Sequence, residues 1–487
     1  MAVILNVPLS WKAAVAAGGD AADMLDNLQA NILKGHVRDN LSLLFLHFGD
    51  AVDGRAFLNA LARPELTKSA ATHLQEAEDF NLNKVPGTPY VGMGLTASGY
   101  ALLAPAALPA DASFRRGMTD PASKATLADP PVSTWEAPYR QPDPAQEIHA
   151  VVLVGDVGDA AVSTRRDEVL ALLPDSASVV AEETGLAQRN EHGDGIEHFG
   201  YIDGRSQPLF LVEDLDAERD GSDGTNVWDP AANLEQVLVA DPGGGPNHFG
   251  SYFVFRKLEQ NVRRFKQVEE DLADALGLSG DDRERAGAMI VGRFEDGTPL
   301  TLQRADGAHR PIMNNFTYDG DTEGRKCPFH AHIRKTNPRG SGGAQPPADE
   351  RLHLMARRGQ TYGQRTDVPF DGSVPPSGRP TGGVGLLFMA FNSQIHFDFA
   401  AGDFLGAQFD FTQAIWADNR QFPAVLPAGA PDPGLDPVIG QGPRPPQTYP
   451  TNWGGLPDRQ VAAVPQAVRM RGGEYFFMPS LAFLRNL

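Results

Sequence analysis

Apolar residues fall in short runs separated by polar turns. Leu41 to Phe48 is almost wholly apolar, the pattern of a strand covered on both faces. Ile148 to Gly155 has the same character. Lys68 to Asp79 instead shows helical spacing and runs into a turn at Asn81–Asn83, and a further helix is expected over Thr164 to Leu173. Strand and helix alternate through this half, which predicts an α+β architecture. Glu182 to Gln207 is rich in Gly, Asp and His and reads as irregular chain crossing to the second half. There, Gly250 to Phe255 predicts a short strand. Arg256 to Leu276 carries Leu258, Val262, Phe265, Val268, Leu272 and Leu276 at spacings of three and four, which predicts one long amphipathic helix. Later strands are expected at Gly385–Asn392 and Tyr475–Met478. Pro423 to Gly455, rich in Pro and Gly, reads as a long surface excursion. Each half offers an apolar strand followed by a helix, without a clear sequence repeat.

Composition narrows the class. The chain has 487 residues, enough for two domain-sized units, and 41% are apolar, enough for a substantial core. The net charge of −20 argues against general nucleic-acid binding and against anionic membrane surfaces, which both need a basic footprint. The single cysteine, Cys327, rules out an intramolecular disulfide and any thiolate-built zinc or iron–sulfur centre. No basic lead or twin-arginine segment precedes the short apolar run Met1–Val7, and no run of about 18 apolar residues occurs. The reading is therefore a cytoplasmic chain, with a secreted mature form left open.

Three segments carry candidate chemistry. The first places Asp203 just before Gly204 and three residues after Gly200, where small residues permit tight backbone and close approach of a flat ligand. Taken alone it is also an ordinary turn. The second places His332 ahead of Arg334, Lys335, Asn337 and Arg339. A neutral imidazole ligates haem iron, and cationic donors hold propionates. His330 is a rival: on a helix the two rings diverge, on a strand they share a face. The third brings Arg357 out of the apolar lead Leu354–Ala356, where an arginine needs an anionic partner.

Together these segments resemble the dye-decolorizing peroxidase family over most of the chain. Gly200–Gly204 is similar to the family's Gly-x-x-Asp-Gly signature, which implies that Asp203 lies on the peroxide side of a haem. His332 corresponds to the proximal iron ligand, Arg357 to the distal arginine and Arg339 to a propionate partner. Gly250–Gln260, Gln408–Gln413 ahead of Trp416, Asp436–Gly440 and Gly472–Phe477 add similar flanking segments and point to the larger fungal and bacterial members. Where those members often carry glutamate, this chain has Asp410, and the resemblance makes Asp410 the acceptor for the other ring nitrogen of His332. Leu386 and Phe388 are expected to line the distal pocket.

The resemblance implies two ferredoxin-like halves with antiparallel sheets and peripheral helices, residues 1–205 and a haem-binding 206–487, in the manner of the dimeric α+β barrels. It implies haem b as cofactor, with hydrogen peroxide and aromatic reductants such as dyes and phenolics as substrates. Asp203 would move a proton between the peroxide oxygens, and Arg357 would stabilise charge as the O–O bond breaks. Aspartates ordinarily titrate near about 3.9, so the expected optimum is mildly acidic. The alternative is a haem-binding or haem-handling protein of the same fold, with incidental peroxidase turnover.

Overall fold

The computed structural model describes residues 2–36, 38–141, 143–307, 311–342, 345–365, 367, 374–397, 406–418 and 433–487. Its centre is a ten-stranded sheet in which every pairing is antiparallel. Four strands come from the first part of the chain: β1 (Asn40–Phe48), β2 (Tyr90–Leu95), β3 (Ala150–Asp156) and β4 (Ala177–Leu186). Four more come later: β5 (Phe249–Gln260), β6 (Gln360–Tyr362), β7 (Gly385–Asn392) and β8 (Val468–Met478). Their spatial order is β6-β7-β5-β8-β2-β3-β1-β4, and two-residue strands pair on the side of β5 and β7. The seam between early and late strands is the pairing of Leu95 with Phe477. The sheet curls until its edges meet. Gln360 Nε2 donates to the Asp39 carbonyl at 2.9 Å, and Thr361 Oγ1 donates to the Leu186 carbonyl.

The predicted strands at 41–48 and 148–155 appear as β1 and β3. Both are buried through their centres. The predicted helices appear as Ala70–Asn83 and Asp159–Ala171. Three of the eight strands escaped the hydrophobic pattern, the short β6 and, more tellingly, β2 and β4. In β2, glycines replace the alternating bulk: a Cβ at Gly92 would meet Tyr90 Oη at 2.0 Å, and one at Gly94 would meet Met478 Sδ at 2.7 Å. In β4, part of the segment expected to be irregular, Glu182 and Glu183 interrupt the apolar run. They are tolerated because Arg166 pairs with Glu182 and Lys257 with Glu183, at 2.5 and 2.8 Å.

The long helix expected from Arg256 starts six residues later, at Val262. Arg256–Gln260 continue β5, pinned on both sides by β7 and β8. Asn261 then caps the helix, its side chain accepting from Arg264 N at 2.9 Å. Of the Pro- and Gly-rich excursion, residues 423–432 lie outside the described residues. The remainder is not simply surface: Asp436 and Tyr449 are fully buried, and Gln447–Pro450 pairs with Pro457–Val461.

Side chains alternate across a strand. Arg256, Leu258 and Gln260 of β5, Leu386 and Phe388 of β7, and Val468 of β8 all line one cavity beside the sheet. The second hydrophobic cluster closes it, with Phe265 and Val268 of one helix and Met289 and Val291 of the next.

Candidate active site

The inner cavity has a volume of about 230 Å³ and is walled mainly by apolar side chains. His332, Asp203, Arg357, Leu386 and Phe388 all reach it. A larger outer cavity of about 1120 Å³ adjoins it. The two share Glu197, Asp203, Gly204, Arg205, Pro208, Arg357 and Leu386 as a common wall.

His332 is the first residue of the short helix His332–Thr336, and its ring is 25% exposed, toward the cavity. Nδ1 lies 2.8 Å from Asp436 Oδ2. Asp436 is fully buried, and its Oδ1 accepts from Val438 N and Ile439 N at 2.8 and 3.0 Å. Burial disfavours the charged imidazolium, but the Asp436 charge and hydrogen bond outweigh it and raise the His332 pKa. Burial also disfavours the Asp436 anion, yet the His332 ring and the two backbone N–H groups hold its pKa below the usual range. This leaves Nε2 as the ring nitrogen facing the cavity. His330 points elsewhere, edge-on to Tyr449 at 4.7 Å.

Across the cavity, Asp203 sits on a hairpin. Its N–H donates to the Gly195 carbonyl at 3.0 Å, and Oδ1 accepts from Gly204 N at 2.6 Å. Arg357 Nη1 reaches the same oxygen at 3.3 Å, and Nη2 donates to the Arg205 carbonyl at 3.2 Å. The Arg357 backbone N–H is held by Gln207 Oε1 at 3.1 Å. The anionic partner that Arg357 required is therefore Asp203.

Arg339 lies one residue behind the wall. Its guanidinium donates to the Asn314 and Phe316 carbonyls at 2.7 and 2.8 Å and to Ser206 Oγ, and Ser206 lines the cavity. Its Nε is buried without a partner.

Asp410 does not meet His332. It is 1% exposed, accepts from Ser113 Oγ at 2.5 Å and from Tyr475 Oη at 3.1 Å, and is pushed up to about 7 by burial. The carboxylate expected there comes from Asp436, 26 positions further on. Its segment was conspicuous as a flanking match, but nothing in its spacing tied it to His332.

The residues suit a haem. Among the described residues no group of three or more His, Cys, Asp or Glu could hold a bare metal ion. An imidazole with one nitrogen fixed to a buried carboxylate suits iron already carried by a macrocycle. The orphaned atoms in or beside the wall, Arg339 Nε, Arg256 Nη1 and Thr412 Oγ1, leave polar capacity for an acidic, flat guest.

Comparison with known proteins decides the family. The chain is 61% identical over 490 residues to the multifunctional dye peroxidase DyP2 of Amycolatopsis sp., covering all of both chains. It belongs to the dye-decolorizing peroxidase family. The solved DyP2 structure superposes with a TM-score of 0.92 at 60% identity and full coverage of both chains. A DyP-type peroxidase of Anabaena sp. gives 0.86 at 36% identity, over 98% of this chain and 96% of that one. A dye-decolorizing peroxidase solved with 2,6-dimethoxyphenol gives 0.74 at 28% identity, over 95% and 98%. No family model matches the chain. The chain is thus a dye-decolorizing peroxidase, with the family's ferredoxin-like α+β fold, and the family implies a haem cofactor. Among the described residues no helix is long and apolar enough to cross a membrane.

Proposed function

We propose that this peroxidase holds haem b in the inner cavity with His332 as the iron's protein ligand, and that Asp203 and Arg357 activate hydrogen peroxide on the opposite face. The observation that carries the reading is that one largely apolar cavity is lined both by an imidazole locked by Asp436 and by an Asp203–Arg357 pair. Bound haem supplies the redox-active iron that takes oxidising equivalents from peroxide and passes them to aromatic reductants.

The protein does the rest. Asp436 fixes the His332 tautomer and makes the ring a stronger donor. Asp203 accepts the proton from one peroxide oxygen and delivers it to the other as water leaves. Arg357 stabilises the negative charge that develops as the O–O bond breaks. Leu386 and Phe388 keep bulk water and bulky donors out of the inner cavity. Arg339, through Ser206, is placed for a propionate. The antiparallel groups on either side of the β2–β8 seam support a division into halves at 1–205 and 206–487. The absorption spectrum of the haem-reconstituted chain tests the reading. A Soret band that changes on adding one equivalent of peroxide is expected. Absence of the band refutes the haem site, and a band indifferent to peroxide leaves only a haem carrier.

A further inference from the structure

The wall between the two cavities contains a carboxylate that the reaction scheme leaves without a task. Glu197 is partly exposed, toward the cavities, and makes no ion pair with a cation among the described residues. Burial pushes its carboxyl up to about 7, despite three hydrogen bonds that act the other way. A carboxylate withdrawn from bulk water and kept without a cation is costly unless its hydrogen bonds are needed.

Two of those bonds close one turn. Glu197 Oε2 accepts from Phe199 N at 2.8 Å, and Oε1 accepts from Tyr201 N at 3.1 Å. Glu197 N donates to the Tyr201 carbonyl at 3.1 Å, and Gly200 N donates to the Glu197 carbonyl at 2.9 Å. Ile196 then bridges Ile202, and Asp203 N bonds the Gly195 carbonyl at 3.0 Å. The side chain thus closes the loop of the hairpin whose returning arm presents Asp203. Gly200, at φ 104°, supplies the reversal that a side chain would resist. The third bond fastens the loop to the sheet: Gln260 Nε2, at the end of β5, donates to Glu197 Oε2. Phe199 adds a stack on Phe265 at 3.9 Å and 9°.

We propose that Glu197 is a positioning residue for the peroxide reaction: its carboxylate ties the 197–201 turn to Gln260 and so sets where Asp203 stands in the neck between the cavities. The inference rests on the reading of Asp203 as the proton carrier. Loosening the turn misplaces the Asp203 oxygens relative to bound peroxide, and a misplacement of about 1 Å costs on the order of 10²-fold in rate.

A double-mutant cycle in the haem-loaded enzyme tests it. The second-order rate of the peroxide reaction is read by stopped-flow absorbance for wild type, Glu197→Ala, Asp203→Asn and the double variant. Glu197→Ala is expected to slow this step by roughly 10- to 100-fold, with the later step with 2,6-dimethoxyphenol unchanged. In the Asp203→Asn background the same change should add nothing. Glu197→Gln keeps an oxygen for Phe199 N and Gln260 but turns an NH2 toward Tyr201 N, so an intermediate rate is expected, and this variant carries the cycle if the alanine variant folds poorly. Amide hydrogen exchange at Phe199 and Tyr201 should quicken in either variant. A wild-type peroxide rate in both Glu197 variants, or an equal loss with and without Asp203, overturns the proposal alone. A wild-type rate in Asp203→Asn overturns the Asp203 reading and this one with it.

Discussion

On one side of the cavity, His332 is fixed by a fully buried carboxylate that is itself held by two backbone N–H groups. On the other, Asp203 and Arg357 are 39% and 34% exposed and meet in a single longer contact of 3.3 Å. On the proposed reading, the His332 side has little reason to move, because an iron ligand must keep one tautomer and one orientation. On the same reading, the Asp203 side has to exchange protons with water and admit peroxide, which a buried, fully bonded pair would resist. An exposed pair is also weakly coupled by charge alone, so its placement falls to the hairpin and to Gln207, which holds the Arg357 backbone.

Loss of the His332 ring should have the largest effect. His332→Ala is expected to abolish the Soret band of the reconstituted chain, whereas Arg357→Leu should keep the band and lose about 10²- to 10³-fold in the peroxide step. Equal haem retention in the two variants would erase the distinction between ligand side and reaction side. Next comes the choice between two buried aspartates. Asp436→Asn should make the Fe(III)/Fe(II) potential more positive, because the ligand loses an anionic partner, with about 10- to 100-fold less activity. Asp410→Asn should leave the potential where it was. A potential moved by Asp410→Asn and not by Asp436→Asn would reverse the assignment.

The smallest effect concerns stability. Burial favours the protonated Asp410, raising it from 3.8 to about 7. Across that window the folded chain binds more protons at this site than the unfolded chain, so the site's contribution falls as pH rises. Asp410→Asn should therefore flatten the decline in melting temperature between pH 4 and 7. An identical pH dependence in the variant would show that Asp410 titrates normally.

What the sequence disclosed follows from where the information is local. The strands at 41–48 and 148–155 are legible because burial on both faces leaves a continuous apolar run. β2 and β4 are not, because packing against Tyr90 and Met478 demands glycine at 92 and 94, and ion pairs license Glu182 and Glu183. Helical spacing extended the 262–276 helix backward through Leu258, since a strand face that happens to keep a three-to-four spacing looks the same; only the Asn261 cap separates them. In the site, Asp203, His332 and Arg357 stood out by their neighbours and by resemblance. Asp436 did not, because its contact with His332 spans 104 positions and is made by folding alone. The resemblance puts Asp410 in that role because it stands where larger members carry glutamate; that its carboxylate meets Ser113 and Tyr475 instead is decided by folding.

The most direct test of the two-sided account is the second-order rate of the haem-loaded Asp203→Asn variant with hydrogen peroxide, followed by stopped-flow absorbance at a pH where wild type is fastest. Loss of the proton carrier should slow this reaction by about 10²- to 10⁴-fold, with the Soret band of the resting enzyme, and so the His332 side, unchanged. A wild-type rate in that variant would contradict the account.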